Sequence, residues 1–289
     1  MPELPEVETT KEELKKLVLE RKIVDVWSDT PKIVKNIDFS DFQREIKGRI
    51  IKDIQRKGKN IIFLLDKDRA FLIHQKLTGH LLYGKWKREG SGWVPEKEGP
   101  LSDPMNRFLH LIFFLDNKKM LALSDLRKFA KVIFGKKEEI FSLPEIISLG
   151  SDALEIDFEK FKENLQRKPN LQIKKVLMDQ NIISGIGNIY SDEILFASKI
   201  NPFKKIKDLK ENDFKLLFKN TKDILKKAIK LKGESISDYR IPDGTKGNFD
   251  KIRKVYRREG QNCFICGTKI IRKKIQGRST CFCPSCQPL

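Results

Sequence analysis

Apolar and polar positions change period along this chain. Past Pro5, which a first helical turn tolerates, Val7, Leu14, Leu17 and Val18 recur at helical spacing with Glu and Lys between them, predicting an amino-terminal helix. From about residue 32 to 136 the apolar runs are short: Ile61–Leu65, Phe71–Ile73, Phe108–Leu115, Met120–Leu123 and Val132–Phe134. Turn-forming Asp66-Lys67-Asp68 and Asp116-Asn117 separate them, the pattern of strands paired in a sandwich or barrel. Charged Lys136–Glu139 and the sequence Leu149-Gly150-Ser151-Asp152 read as a crossover, after which the period becomes 3.6. Phe214, Leu217, Phe218, Leu225, Ala228 and Ile229 then draw the stripe of a long amphipathic helix, and helices dominate from about Asp157 to Lys232. No internal repeat or low-complexity tract interrupts this order.

A length of 289 residues suits two domains with real cores. A net charge of +19 directs the chain toward a polyanion such as nucleic acid. The longest apolar run, Phe108–Leu115, is far below the roughly 18 residues of a membrane span. An acidic, proline-bearing start also lacks the basic region and apolar core of a secretory signal. The expected setting is a reducing cytoplasm, with no membrane partner.

All five cysteines lie between Cys263 and Cys286, so metal binding is a better reading than a disulfide framework. Cys263-Phe-Ile-Cys266 and Cys283-Pro-Ser-Cys286 form two knuckles, 16 residues apart, whose thiolates can converge on one structural zinc ion. Residues 268–275, a Gln276-Gly277 turn and Arg278–Phe282 would make the hairpin that the metal staples. Cys281 is surplus and lacks knuckle spacing. From Asp250 onward ten Lys and Arg face two acidic residues, and Arg278 beside the turn suits a bidentate phosphate contact.

Three motifs in order, Pro2-Glu3-Leu4-Pro5-Glu6-Val7-Glu8, Ser184-Gly185-Ile186-Gly187-Asn188-Ile189-Tyr190 and the four cysteines, resemble the formamidopyrimidine-DNA glycosylase family across essentially the whole chain. Leu4 matches this family better than the related endonuclease VIII enzymes, where glycine is usual. The resemblance implies a two-domain α+β fold. Residues 1–135 would be a catalytic β-sandwich flanked by helices and 136–156 a linker. Residues 157–254 would be a helix-two-turns-helix domain carrying a lesion-recognition loop at 233–249, and 255–289 a four-cysteine zinc finger. DNA would lie in a basic cleft between the domains.

It also implies a base-excision repair enzyme, acting as a monomer on double-stranded DNA, that removes oxidised purines and nicks the strand. With Met1 removed, Pro2 is a secondary amine able to attack the sugar C1′, displace the base and form an iminium. The iminium acidifies the C2′ proton, so β- and then δ-elimination follow. Glu3 can move protons to the ring oxygen or the leaving base, and Glu6 can orient the site by accepting backbone amides or simply favour the helix dipole. Lys59, in Arg56-Lys57-Gly58-Lys59-Asn60, matches the lysine that meets the damaged nucleotide's phosphates, and Asn188 matches a phosphate-binding position at the start of a helix.

A base taken out of the stack leaves a gap to be filled. The matching residues are Leu77 in His74-Gln75-Lys76-Leu77-Thr78-Gly79, and Arg127 and Phe129 in Asp125-Leu126-Arg127-Lys128-Phe129-Ala130. Leu77 stands where the family has methionine, Ala130 where it has glycine, and Lys232 where the loop has a second glycine. His110 reads as a satisfied core histidine, and Tyr190 and Glu193 as packing or capping residues. Two other readings fit fewer features: an endonuclease VIII-like enzyme for oxidised pyrimidines, and a zinc-bearing DNA-binding protein without chemistry, which would need neither Pro2 nor Glu3.

Overall fold

In the computed structural model, which describes residues 1–235 and 238–289, the apolar blocks of the first half are strands and the later stripes are helices. The described residues separate into two units, 1–147 with 231–250 and 148–230 with 251–289.

In the first unit, helix α1 (Leu4–Val18) holds Pro5 in its first turn, where no intrahelical donor is lost, and buries Leu4, Val7, Leu14 and Val18. Then follow β1 (Ile23–Ser28), α2 (Phe39–Ile46), β2 (Ile51–Lys57), β3 (Asn60–Leu65), β4 (Arg69–His74) and β5 (His80–Gly84). A hairpin of β6 (Trp86–Glu89) and β7 (Gly92–Pro95) leads to β8 (Leu109–Leu115), β9 (Met120–Ser124) and β10 (Lys131–Lys136). Two antiparallel four-stranded sheets result, in the orders β1-β8-β9-β5 and β10-β4-β3-β2. Between them Phe63 stacks on Phe71 at 4.4 Å and Phe71 on Phe113 at 5.1 Å, inside one continuous apolar core. Helix α1 packs on β2, β3 and β5, and its Val7, Leu14 and Val18 join the same core as Ile61, Phe63 and Leu65; Ile62, on the opposite face of β3, is also fully buried, so Ile61–Leu65 is an unbroken apolar run instead of an alternating one. Short helices α3 (Lys137–Phe141) and α4 (Pro144–Ile147) occupy the first half of the expected linker.

The segment 231–250, which the sequence places with the helices, belongs to the sandwich unit. Its polar groups find partners there that sequence distance conceals. Tyr83 donates its N–H to the Pro242 carbonyl at 2.7 Å, Asn106 Nδ2 donates to the Gly244 carbonyl at 3.2 Å, and the Arg240 guanidinium holds both Asp103 oxygens at 3.0 Å. Most of the expected recognition loop is thus fastened to the sandwich; its Ile236 and Ser237 lie outside the described residues.

The second unit comprises β11 (Ser151–Asp152), α5 (Phe158–Gln166), α6 (Ile173–Leu177), β12 (Ile183–Ser184), α7 (Asn188–Ala197), α8 (Glu211–Lys230), β13 (Ile271–Ile275) and β14 (Arg278–Phe282). The stripe on α8 buries Phe214, Leu217, Leu225 and Ala228, while Phe218 meets Phe158 and Phe161 edge-on. Helix α7 is buried from Tyr190 to Phe196 because α6, α8 and β14 all pack on it. Strands β13 and β14 join through Gln276-Gly277, both with positive φ, as a I′ hairpin turn requires. Among the described residues no helix is long and apolar enough to cross a membrane.

Candidate active site and metal site

The amino terminus is built into α1. Pro2 and Glu3 are buried, Glu3 is the N-cap, and its N–H donates to Glu6 Oε2 at 2.8 Å. The other Glu6 oxygen accepts the Glu234 N–H, also at 2.8 Å. Lys59 reaches the same place from the β2–β3 turn, where Lys57 pairs with Asn60 and leaves Gly58 and Lys59 as the two turn residues. Arg56 sets that turn: its Nη1 donates to the Gly58 carbonyl at 3.0 Å while its Nε donates to Glu8 Oε2, one turn along α1, at 2.6 Å. One helix therefore carries Glu3 and Glu6 and also holds the turn that presents Lys59, itself only 8 % exposed.

The electrostatics report the same cluster. Burial pulls the Met1 amine below its ordinary 8.0; Glu3, Glu6 and Asp238 oppose this and Lys59 reinforces it. An amine in this position sheds its proton more readily than one in water, which is what a nucleophilic amine needs at neutral pH. Nearby, His74 is held near 3 by burial and by Lys76, Lys131 and Lys59. Its Nδ1 accepts the Lys76 N–H at 2.9 Å, so the proton of the neutral ring sits on Nε2, a donor among cations. In the sequence His74 stands only as a flank of Leu77; its signal was a His at the end of a strand that pairs beside a Lys-rich turn.

Two turns carry the residues expected to fill a gap. Thr78 donates its hydroxyl to Asp125 and accepts the Arg127 N–H at 3.1 Å, and Asp125 Oδ2 accepts the Ala130 N–H at 2.7 Å. The turn after Leu77 and the turn bearing Arg127 and Phe129 are thereby tied together. Phe129 is 50 % exposed, with the Arg127 guanidinium stacked 4.5 Å from its ring centre. His110 is buried, with Nδ1 2.8 Å from Asp29 Oδ1.

In the other unit the Gly185-Ile186 turn is clamped by one side chain: Gln180 Oε1 accepts the Gly185 N–H at 2.9 Å and its Nε2 donates to the Ile186 carbonyl at 2.7 Å. This delivers Asn188 to the first position of α7, where its Oδ1 is buried with no hydrogen-bond partner among the described residues. Turned over, the same amide presents a donor at a helix N-terminus, a match for an anion. Arg278 is exposed at the start of β14.

The Sγ atoms of Cys263, Cys266, Cys283 and Cys286 all lie within 4.8 Å of one another. Neighbouring separations of 3.4, 3.5 and 3.9 Å bracket the edge of about 3.8 Å that a tetrahedron with 2.3 Å metal–sulfur bonds requires. The Ile265 N–H points at Cys263 Sγ and the Cys286 N–H at Cys283 Sγ; hydrogen bonds from Thr268 lower the Cys266 thiol to about 6, while burial pushes the Cys283 and Cys286 thiols up. Four sulfurs so placed can hold a metal ion. Cys281 stands apart, buried with Phe196, Val255 and Ile270. Adjacent acids on α7 dock this module: Asp192 Oδ2 accepts the Cys281 N–H, and the Glu193 carboxylate accepts the N–H groups of Lys254, Val255 and Tyr256.

The model for the formamidopyrimidine-DNA glycosylase N-terminal domain matches residues 1–132, and that for the formamidopyrimidine-DNA glycosylase H2TH domain matches residues 149–240. The formamidopyrimidine-DNA glycosylase of Pelotomaculum thermopropionicum is 34 % identical over 99 % of both chains, and that of Mycoplasma genitalium 35 % identical over 100 % of this chain and 96 % of its own. The chain belongs to the formamidopyrimidine-DNA glycosylase family. Among solved structures, Lactococcus lactis Fpg in complex with abasic-site DNA superposes with a TM-score of 0.86 at 31 % identity, covering 99 % of this chain and 100 % of that one. MutM in complex with DNA containing carbocyclic 8-oxo-G gives 0.84 at 32 % identity over all of both chains.

Against the formamidopyrimidine-DNA glycosylase pattern, the departures have local explanations. Ala130 avoids positive φ and packs in the sandwich core, so a methyl group fits there. Lys232 has φ +62°, the conformation that favours the family's glycine, and its ammonium lies 3.5 Å from Glu13 on α1. Leu77 is half-buried beside the Thr78–Asp125 link.

Proposed function

We propose that this protein is a bifunctional DNA glycosylase and AP lyase that excises oxidised purines, 8-oxoguanine and formamidopyrimidines, from duplex DNA as a monomer. The observation that carries the reading is buried Pro2 set among Glu3, Glu6 and Lys59, at a place where burial lowers the pKa of the adjoining Met1 amine. Once Met1 is removed, the Pro2 nitrogen attacks C1′; the C1′–N bond to the base breaks and the base leaves with a proton. Glu3 is placed beside that nitrogen to protonate the opening sugar ring. Collapse to the iminium makes the C2′ proton acidic; its loss expels the 3′ phosphate, and a second elimination expels the 5′ phosphate.

Lys59 and His74 Nε2 supply cationic and neutral donors for the phosphates of the flipped nucleotide; in the other unit Asn188 offers a phosphate donor at the head of α7. The Arg127–Phe129 tip and Leu77 are the apolar and guanidinium surfaces that would occupy the vacated stack. Zinc is the metal that suits four convergent thiolates in a small hairpin, where it supplies folding energy and no chemistry. Single-turnover cleavage of duplexes carrying 8-oxoguanine opposite cytosine or thymine glycol opposite adenine tests the lesion class. Faster cleavage of 8-oxoguanine, with phosphate at both ends of the gap, is expected. Preference for thymine glycol would replace the reading with an endonuclease VIII-like one.

A further inference from the structure

Glu6 is shared by two elements that are 228 residues apart in sequence. One carboxylate oxygen accepts the Glu3 N–H and so fixes the backbone beside Pro2; the other accepts the Glu234 N–H at the root of the 233–249 loop. The Glu6 carbonyl also accepts the Tyr239 hydroxyl at 3.1 Å. That root is a narrow neck: Asn248 donates its N–H to the Leu231 carbonyl at 2.8 Å, Phe249 to the Gly233 carbonyl at 3.0 Å, and Gly247 to Ser235 Oγ at 2.9 Å. Gly233 itself lies against the carboxylate. With φ +81°, a Cβ there would stand 2.7 Å from Glu6 Oε1 and 2.9 Å from its Cγ, closer than any contact permits. The absence of a side chain at Gly233 is what lets Glu6 hold both amides at once.

From this geometry we propose that Glu6 is a positioning residue that couples the loop root to the nucleophile, so that the state of the loop at Gly233-Glu234 sets the placement of the Pro2-Glu3 backbone. The proposal rests on the Pro2 reading above and deepens it. A loop that served base recognition alone would be irrelevant once the base is gone. A loop root that also braces the amino terminus matters even when the DNA offers an abasic site.

The test therefore uses a substrate without a base. Borohydride trapping on a duplex with one abasic site is compared, under single turnover, for wild type, Gly233→Ala, Glu6→Gln, Glu6→Ala and the Glu6→Ala/Gly233→Ala double variant. Thermal melting and affinity for a tetrahydrofuran-containing duplex are measured alongside. Gly233→Ala is expected to slow abasic-site trapping by about ten-fold or more while duplex affinity stays nearly constant. Glu6→Gln, which keeps one acceptor but turns a donor toward the second N–H, is expected to fall between wild type and Glu6→Ala. In the Glu6→Ala background the Gly233→Ala change should slow trapping little further, because the left-handed strain it leaves at the loop root is no longer passed to Pro2-Glu3 through the carboxylate. Wild-type trapping rates in Gly233→Ala on abasic DNA, or effects that simply multiply in the double variant, would overturn the coupling while leaving the Pro2 reading intact. Failure of the wild-type protein to trap would overturn both.

Discussion

At the residue scale, the amino terminus is a problem in acid–base balance. Burial is the largest influence holding the terminal amine below 8.0, three carboxylates oppose it, and Lys59 pushes with burial. A cation beside an amine disfavours the ammonium form, so Lys59→Met is expected to raise the amine's pKa and move the acid limb of the rate profile to higher pH, besides weakening phosphate binding. A profile displaced toward lower pH, read from single-turnover excision between pH 5 and 9, would contradict this electrostatic role. The candidates Pro2 and Glu3 were legible because their proposed chemistry depends on residue type beside the amino end, and Lys59 because it sits in a short basic turn between two apolar strands. What Glu6 and His74 do was less legible. The second partner of Glu6 is Glu234, and the tautomer of His74 is set by the Lys76 N–H; neither leaves a trace in local spacing.

At the element scale, α7 organises the carboxy-terminal unit. The Lys174 ammonium lies 2.6 Å from Asp192 Oδ1 with both side chains fully buried, and also donates to the Ser279 carbonyl and Thr280 Oγ1 on β14. Asp192 in turn accepts the Cys281 N–H. Lys174→Met leaves a buried carboxylate with its cation removed, a change that costs about 3–5 kcal/mol in comparable sites. Burial already holds the Asp192 carboxyl above its ordinary range and Lys174 opposes it, so without Lys174 the folded-state pKa climbs further. A group with a raised folded pKa stabilises below its unfolded pKa and loses that contribution as pH rises through the folded value. The melting-temperature deficit of Lys174→Met in metal-loaded protein should therefore widen from pH 5 to pH 8; a deficit that is absent, or that narrows, would contradict the assignment. The hairpin, its Gln276-Gly277 turn and the two cysteine knuckles were legible because turn chemistry and ligand spacing are local. The docking of that hairpin on Asp192 and Glu193 was not, since an acid that accepts three backbone N–H groups looks in sequence like any polar residue on a helix. Nor was the place of residues 231–250, whose partners Tyr83, Asp103 and Asn106 come from the far side of the chain.

At the scale of the whole molecule, a net charge of +19 supplies long-range attraction to DNA that is indifferent to sequence. On the proposed reading, selectivity then rests on local devices: the exposed Phe129 under Arg127, Asn188 at the head of α7, and an amino terminus whose amine is tuned by its neighbours. Charge alone would serve a passive DNA binder equally well. Only the chemistry of Pro2 separates the two, and a covalent adduct registers it directly. The protein is incubated with a duplex holding one 8-oxoguanine opposite cytosine, borohydride is added, and the adduct is digested and mapped by mass spectrometry. The expected result is a single cross-link on the amino-terminal peptide, at Pro2, that vanishes when the terminus is acetylated beforehand. A duplex bound tightly by protein lacking Met1, yet yielding no adduct or one mapped to a lysine, would contradict the amino-terminal mechanism.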